Sequence, residues 1–463
     1  MLAFHPPQPI ELLGKRVAVL GLARTGLAAA EVLRHHGASV VGCDGKPAAQ
    51  LVDASAVLSR LGADLCPECA SLDQIGPVDL LVVSPGIPVD HAILQAARAQ
   101  GIPAIAEIEL AYRLATAPIV AISGTNGKGS TCTVLGDMLR RAGLRTVVAG
   151  NIGTPLVSQV GQPLDVIVAE ISSFQLETIA LFRPAIAILL NITPDHLIDR
   201  HGDMDSYVAA KRRLFSNQTP EDYAVLNVDD AVVAACKPSI TAQQLTVSLS
   251  GNASGRVENG RLVVEIEATG RLELCPVDEL PVPGEHNQRN FLCAALAAAL
   301  ARVPIEAMRA AILAFQPAPH LLTPVGTVRG VAFRDDSKAT NPASAIADLK
   351  ALSGEVIVVS GGKDKGADFG EFGTAIAEHA AGAFLIGETR GKIAEAIAGR
   401  VPARACATFE EAVRGAFAAA HPGATVVLLP ACSSFDMFSD YAARGDAFAG
   451  FVAELMREEG GSE

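Results

Sequence analysis

Short apolar runs rich in β-branched residues recur along the chain, and longer segments with helical spacing separate them. RVAVL at 16–20 is followed by the turn GLARTG, the helical stretch LAAAEVLRHHG, and a second run, SVVGCD, that closes on Asp44. Apolar runs of this length bounded by glycine read as buried strands. A third run, VDLLVVSPGIP at 78–88, ends in a Pro-Gly loop. The alternation resumes with APIVAIS at 117–123, then a helix STCTVLGDMLRRAG stopped by Gly143. DVIVAE at 165–170, AIAILLNI at 185–192 and DYAVLNVDD at 222–230 follow as strands. From about 245 to 280 short runs alternate with glycine turns, which predicts a small antiparallel patch. After the helical NFLCAALAAALAR at 290–302 a third set of strands and helices opens, with VAFRDDSKATN, GEVIVVSGGKDKG, GAFLIGE and ATVVLLPACSS.

Strands alternating with helices predict parallel sheets covered on both faces. The fold class is α/β with three domains: a Rossmann-like domain over 1–106, a central P-loop ATPase-type domain over 107–317 and a Rossmann-like α/β domain over 318–463. A chain of 463 residues is too long for one core.

Composition narrows the partners. The net charge is -13, aromatic residues make up 4% and tryptophan is absent. Both argue against a nucleic-acid partner, which needs positive charge and stacking rings. Backbone amides at a glycine loop still bind a phosphate on an acidic protein. Nine scattered cysteines suit a reducing compartment. The one C-x-x-C, Cys66 to Cys69, has no second pair downstream at zinc-finger spacing and reads as structural or incidental. No apolar run is long enough to cross a membrane. A cytoplasmic protein without membrane insertion is expected.

Two turns carry candidate chemistry. GLARTG with Asp44 resembles a dinucleotide fingerprint, although Ala23 stands at its second glycine position. An NAD-dependent oxidoreductase is one reading of that turn, but it leaves the other two domains unexplained. In the second turn, the strand IVAIS feeds Gly124, Thr125, Asn126, Gly127, Lys128 and Gly129, then a helix. Convergent amides, the helix dipole and Lys128 suit the phosphates of ATP. Ile122 and Gly129 break the usual phosphate-loop pattern, so the Mg²⁺-binding hydroxyl falls to Ser130, with Thr131 in reserve. Glu170 ends one neighbouring strand and His196 follows another, which makes them candidate metal ligands.

Nine motifs in order then resemble a known family. GTNGKGST, GNIGTPL, AEISSFQLE, NITPDHLIDRHG, YVAAKRRLF, GEHNQRN, DDSKATN, GGKDKGADF and PACSSFDMFSDYAARG are similar to those of the Mur ligases, and DSKATN with PACSSFDMF to their glutamate-adding branch. The resemblance implies ATP-dependent activation of a carboxylate as an acyl phosphate, followed by attack of an amine. Its implied substrates are UDP-N-acetylmuramoyl-L-alanine and D-glutamate, its cofactors ATP and two Mg²⁺ ions, and its working form a monomer.

The resemblance also implies roles. Lys128, Glu170, His196 and Lys211 would be catalytic. Ser130, Glu170, His196 and a carbamylated Lys211 would serve metal. Helical spacing alone reads Lys211 as an exposed lysine; only the resemblance lifts it. Asn287, Asn290 and Asp336 would touch the nucleotide. Arg24, Thr25, Asp44 and Gly45 would cradle the UDP end, making 1–106 a UDP-binding domain, with Ser84 and Asn151 toward the sugar. Thr340, Lys365, Ser434 and Tyr441 would hold D-glutamate, and Lys338 would lie near the γ-phosphate. Three positions depart from the family pattern: Gly129 replaces a hydroxyl residue, Leu321 replaces an arginine after Pro319-His320, and Ile198 is an extra residue beside His196.

Overall fold

The strand Arg16–Leu20 sits at the centre of a five-stranded sheet, and its last four residues are buried. Val17, Ala18 and Val19 are 0% exposed, so helices must cover both faces. The computed structural model describes Leu2 and residues 4–459. The order across this sheet is Asp64–Cys66, Ser39–Cys43, Arg16–Leu20, Leu80–Val83 and Ala104–Ala106, all parallel. The helix Arg24–His35 follows the first strand directly. Gly26 is required there, because a β-carbon would collide with the carbonyl of Gly21 and the hydroxyl of Ser84.

The second sheet has nine strands. Six run parallel in the order Thr146–Gly150, Val166–Glu170, Ile119–Ser123, Ile186–Leu189, Tyr223–Asn227 and Gln243–Val247. Gly255–Glu258, Arg261–Ile266 and Gly270–Pro276 extend the far edge, the last three strands pairing antiparallel with one another. The glycine-turn region thus forms the expected antiparallel patch. Ile119–Ser123 is buried throughout and lies between the strand ending on Glu170 and the strand Ile186–Leu189.

The third sheet orders Thr323–Val328, Val331–Asp335, Thr425–Leu428, Val356–Gly361, Gly382–Ile386 and Ala403–Ala405. Only its first pair is antiparallel. The chain divides into two compact units. One comprises residues 1–192, 204–279 and 289–313 and contains the first two sheets; the other comprises 193–203, 280–288 and 314–463 and contains the third.

Within the first unit, the helix Glu107–Leu114 joins the first two sheets through buried carboxylates. Glu109 accepts the amides of Ala180, Leu181 and Phe182, and Glu107 accepts that of Val157 at 2.6 Å. Burial pushes the Glu107 carboxyl up to about 7, against two backbone amides that favour its charged form.

Candidate active site

The strand Ile119–Ser123 ends in a glycine loop because the backbone there leaves the ordinary regions. Gly124 has φ 155° and Gly127 φ 83°, the latter in the left-handed region that favours glycine. A β-carbon at Gly127 would also run into the side chain of Asn290, which is 4% exposed. Asn191 stitches the loop: its Oδ1 accepts the Asn126 amide at 2.8 Å and its Nδ2 donates to the Asn126 carbonyl at 3.0 Å. The helix Lys128–Arg141 begins directly after the loop. Its first amides point into the loop, the arrangement that attracts phosphate.

Lys128 folds back over this loop, its Nζ donating to the carbonyls of Gly124 at 3.0 Å and Thr125 at 2.7 Å. Lys211 lies on the helix Met204–Arg212 and is 1% exposed. That corrects the helical-spacing reading, which placed it in solvent. Its Nζ donates to the Gly124 carbonyl at 2.8 Å and stands 4.8 Å from the centre of the Tyr207 ring. The Tyr207 hydroxyl in turn meets the Thr125 hydroxyl at 3.1 Å. A buried lysine is tolerated here because a carbonyl and a ring face its charge.

Glu170 ends its strand 5% exposed. Its Oε1 accepts from Asn151 Nδ2 at 2.7 Å, while Oε2 has no hydrogen-bond partner among the described residues. Asn151 is therefore tied to Glu170 in this structure. A β-carbon at Gly129 would stand 3.4 Å from Oε2 and 3.2 Å from Ile152, so glycine leaves the space beside the carboxylate open. Thr131 is 0% exposed and its hydroxyl donates back to the Gly127 carbonyl at 2.9 Å. Ser130 is half-buried, with no hydrogen bond to its hydroxyl among the described residues.

At the carboxyl edge of the first sheet, Asp44 braces the fingerprint turn: Oδ2 accepts the Leu22 amide at 2.9 Å and Oδ1 the Lys46 amide at 3.0 Å. Ser84 donates to the Gly21 carbonyl at 2.7 Å. Arg24 is exposed at the start of its helix, Thr25 is half-buried beside it, and Gly45 is open to solvent.

The second unit carries the remaining residues. His196 has φ 55°, its amide donating to Asp195 Oδ1 at 3.0 Å. Asn287 donates to the Pro283 carbonyl at 2.6 Å. Asp336 is 0% exposed; Oδ1 accepts the Leu322 amide at 3.0 Å, and Oδ2 is buried with no hydrogen bond of ordinary geometry among the described residues. Burial and the neighbouring Asp348 hold its carboxyl well above the usual carboxylate range. His286 Nε2 lies 3.3 Å from Asp348. Lys338 and Thr340 are half-buried in the loop before the helix Pro342–Ala351. Lys365 is half-buried and has no ion pair among the described residues. Ser434 is 2% exposed, and its carbonyl accepts the amides of Met437 and Phe438. Tyr441 is 39% exposed at the start of the helix Tyr441–Glu459. His320, beside Leu321, is held by Asp335 at 2.6 Å.

Sequence reasoning missed two residues. Asn191 sat inside a quoted motif, but its bonds to the glycine loop cross 65 positions. Arg444 is 1% exposed and ties two motif loops together: Nε and Nη2 donate to the Ser337 hydroxyl and carbonyl at 2.9 and 2.8 Å, and Nη1 donates to the Cys432 carbonyl at 3.1 Å. Burial lowers its guanidinium to about 10. An arginine within a helix signals neither role.

Three family descriptions match: Mur ligase MurD-like N-terminal domain at 15–106, Mur ligase middle domain at 122–298, and Mur ligase glutamate ligase domain at 322–432. The UDP-N-acetylmuramoylalanine--D-glutamate ligase of Pelotomaculum thermopropionicum is 41% identical over 458 residues, covering 96% of this chain and 98% of the relative. That of Geotalea uraniireducens is 40% identical over 450 residues, covering 96% and 99%. Among solved structures, MurF from Acinetobacter baumannii superposes with TM-score 0.62 at 18% identity, over 95% of this chain and 93% of that one. A pseudomurein peptide ligase type C from Methanothermus fervidus gives 0.59 at 18% identity, over 96% and 100%. No helix among the described residues is long and apolar enough to cross a membrane.

Proposed function

The chain belongs to the Mur ligase family, and from that premise we propose how its residues share an ATP-dependent ligation that adds D-glutamate to UDP-N-acetylmuramoyl-L-alanine. The reaction makes an amide through an acyl phosphate, and it belongs to the cytoplasmic synthesis of peptidoglycan precursors. The observation that carries the reading is the glycine loop at Gly124–Gly127 with Lys128 and the buried Lys211 on one of its carbonyls.

A carboxylate is a poor electrophile, so the reaction spends ATP to supply a leaving group. The amides of Gly127, Gly129 and Ser130 cradle the β- and γ-phosphates, while Thr125, Asn126 and Thr131 shape the site, their amides being held by the Asn191 carbonyl, the Asn191 side chain and the Gly127 carbonyl. Lys128 leaves its loop carbonyls to meet them, so its charge follows the phosphoryl group during transfer. Asn290, packed on Gly127, keeps the loop in register for the nucleotide. Asn287 and Asp336 keep the nucleotide-binding roles given by the resemblance.

The donors near the loop fit Mg²⁺. Glu170 offers a hard oxygen with an uncommitted Oε2, and the Ser130 hydroxyl is unengaged. By the family resemblance, His196 and Lys211, the latter once carbamylated, would be further ligands for a second ion. Bound Mg²⁺ would supply charge neutralisation on the transferring phosphoryl group.

Arg24, Thr25, Asp44 and Gly45 bind the UDP moiety, while Ser84 and Asn151 face its sugar. The fingerprint turn thereby serves a UDP pyrophosphate. Lys338 neutralises charge near the γ-phosphate, and Thr340, Lys365, Ser434 and Tyr441 hold the D-glutamate carboxylates. A dianion needs a cation and several neutral donors, and this set contains both. The monomer is the working form.

Phosphate release tests the reading. Turnover should require ATP, UDP-N-acetylmuramoyl-L-alanine and D-glutamate together. Folded protein that releases no phosphate with all three would refute it.

A further inference from the structure

The Cys66–Cys69 motif gains a third thiol that the sequence does not join to it. Cys43 ends the strand Ser39–Cys43, Cys66 ends Asp64–Cys66, and the two are direct partners in the parallel register. Partners on adjacent parallel strands project to the same face. Between Cys66 and Cys69 the chain turns back at Glu68, whose φ is 49°. The Glu68 amide donates to the Lys46 carbonyl and the Cys69 amide to the Asp44 carbonyl, each at 3.0 Å. That fastens the motif over the ends of the two strands. The three sulfur atoms all lie within 4.8 Å of one another, with Cys43 and Cys69 buried and Cys66 half-buried.

We propose that Cys43, Cys66 and Cys69 form a three-thiolate site for Zn²⁺, with solvent as the fourth ligand. All three cysteines are free thiols. A Zn–S bond of about 2.3 Å places tetrahedral sulfurs about 3.8 Å apart, so the cluster closes on an ion by shifts of about 1 Å or less. Thiolates select a soft or borderline cation such as Zn²⁺ over Mg²⁺. No histidine or carboxylate belongs to the group among the described residues. Asp44, the adjacent acid, already spends its two oxygens on the amides of Leu22 and Lys46. The half-buried Cys66 is the side from which water completes the shell. A nucleophilic or redox role fits less well. Burial and the neighbouring thiols push Cys43 far above the ordinary thiol range and Cys69 up to about 12, so neither is a ready thiolate without an ion. The bound ion would cross-link two strand ends and the Asp44 turn, and binding to the folded chain alone adds to its stability.

The test uses reduced, metal-stripped full-length protein in excess Mg²⁺, titrated with Co²⁺ and then Zn²⁺. One equivalent of Co²⁺ should give thiolate-to-metal charge-transfer absorption that Zn²⁺ abolishes. Cys66→Ser and Cys69→Ser should each weaken binding roughly tenfold or more, since losing even an outer-shell partner costs that much. Zn²⁺ should raise the Tm of the unsubstituted protein and leave that of both variants unchanged. Cys66→Ser changes a half-buried position, which preserves folding. A folded protein without the charge-transfer band, or a band unchanged in Cys66→Ser, would overturn the site.

Discussion

Lys128 and Lys211 converge on one acceptor: the Gly124 carbonyl takes a hydrogen bond from each Nζ, at 3.0 and 2.8 Å. Two ammonium groups on one oxygen repel each other, and the arrangement is a resting one. A polyphosphate in the loop offers Lys128 a stronger partner, and carbamylation of Lys211, which replaces an ammonium by an anion, would remove the other half of the repulsion.

Lys128→Ala should therefore leave the fold intact and cut phosphate release about 10²–10³-fold, the loss expected when one preorganised charge-stabilising donor is removed. Circular dichroism checks the fold and a phosphate assay the rate. Near-normal turnover would exclude Lys128 from phosphate binding.

The two hydroxyls after the loop should separate cleanly. Ser130→Ala should raise the Mg²⁺ concentration needed for half-maximal rate. Thr131→Val should leave that requirement alone and cost about 1 kcal/mol of stability, because its hydroxyl only serves the Gly127 carbonyl. A Mg²⁺ titration of both variants decides; the opposite pattern would assign the metal to Thr131.

Lys365→Ala removes a cation proposed for the substrate dianion. Losing a charge-assisted bond of about 1.5–3 kcal/mol predicts a roughly 10–100-fold rise in KM for D-glutamate. KM for ATP should stay put. Equal rises for both would count against the assignment.

Much of this was legible in the sequence, for identifiable reasons. The strand runs are nearly continuous in apolar residues because their sheets are covered on both faces, so RVAVL and IVAIS announced themselves. The glycine loop was legible because Gly124 and Gly127 sit where side chains fit poorly. Lys211 was not: one lysine in YVAAKRRLF looks like any solvated helical residue, and the Gly124 carbonyl that, with the Tyr207 ring, faces its buried charge comes from tertiary packing. Arg444 and Cys43 were hidden for the same reason, since their partners are set by strand register and loop packing across long separations.

Glu107 gives a pH signature. Its folded-state carboxyl titrates at about 7 against an ordinary 4.5, because burial disfavours the charge. Below pH 4.5 both states are protonated and nothing is lost. As pH rises toward 7 the unfolded chain ionises first, so stability falls, and above 7 the loss is constant. Glu107→Gln cannot ionise and keeps an acceptor for the Val157 amide. Between pH 4.5 and 8 its stability relative to the unsubstituted protein should improve by about 3 kcal/mol. Denaturant unfolding at several pH values measures this; a gap independent of pH would show that Glu107 is already ionised in the folded chain.

The most direct test follows the oxygen. With ¹⁸O in the carboxylate of UDP-N-acetylmuramoyl-L-alanine, attack by D-glutamate on an acyl phosphate breaks the carbonyl carbon–oxygen bond. The released phosphate should then carry one ¹⁸O by mass spectrometry. Unlabelled phosphate formed alongside the amide product would contradict carboxylate activation.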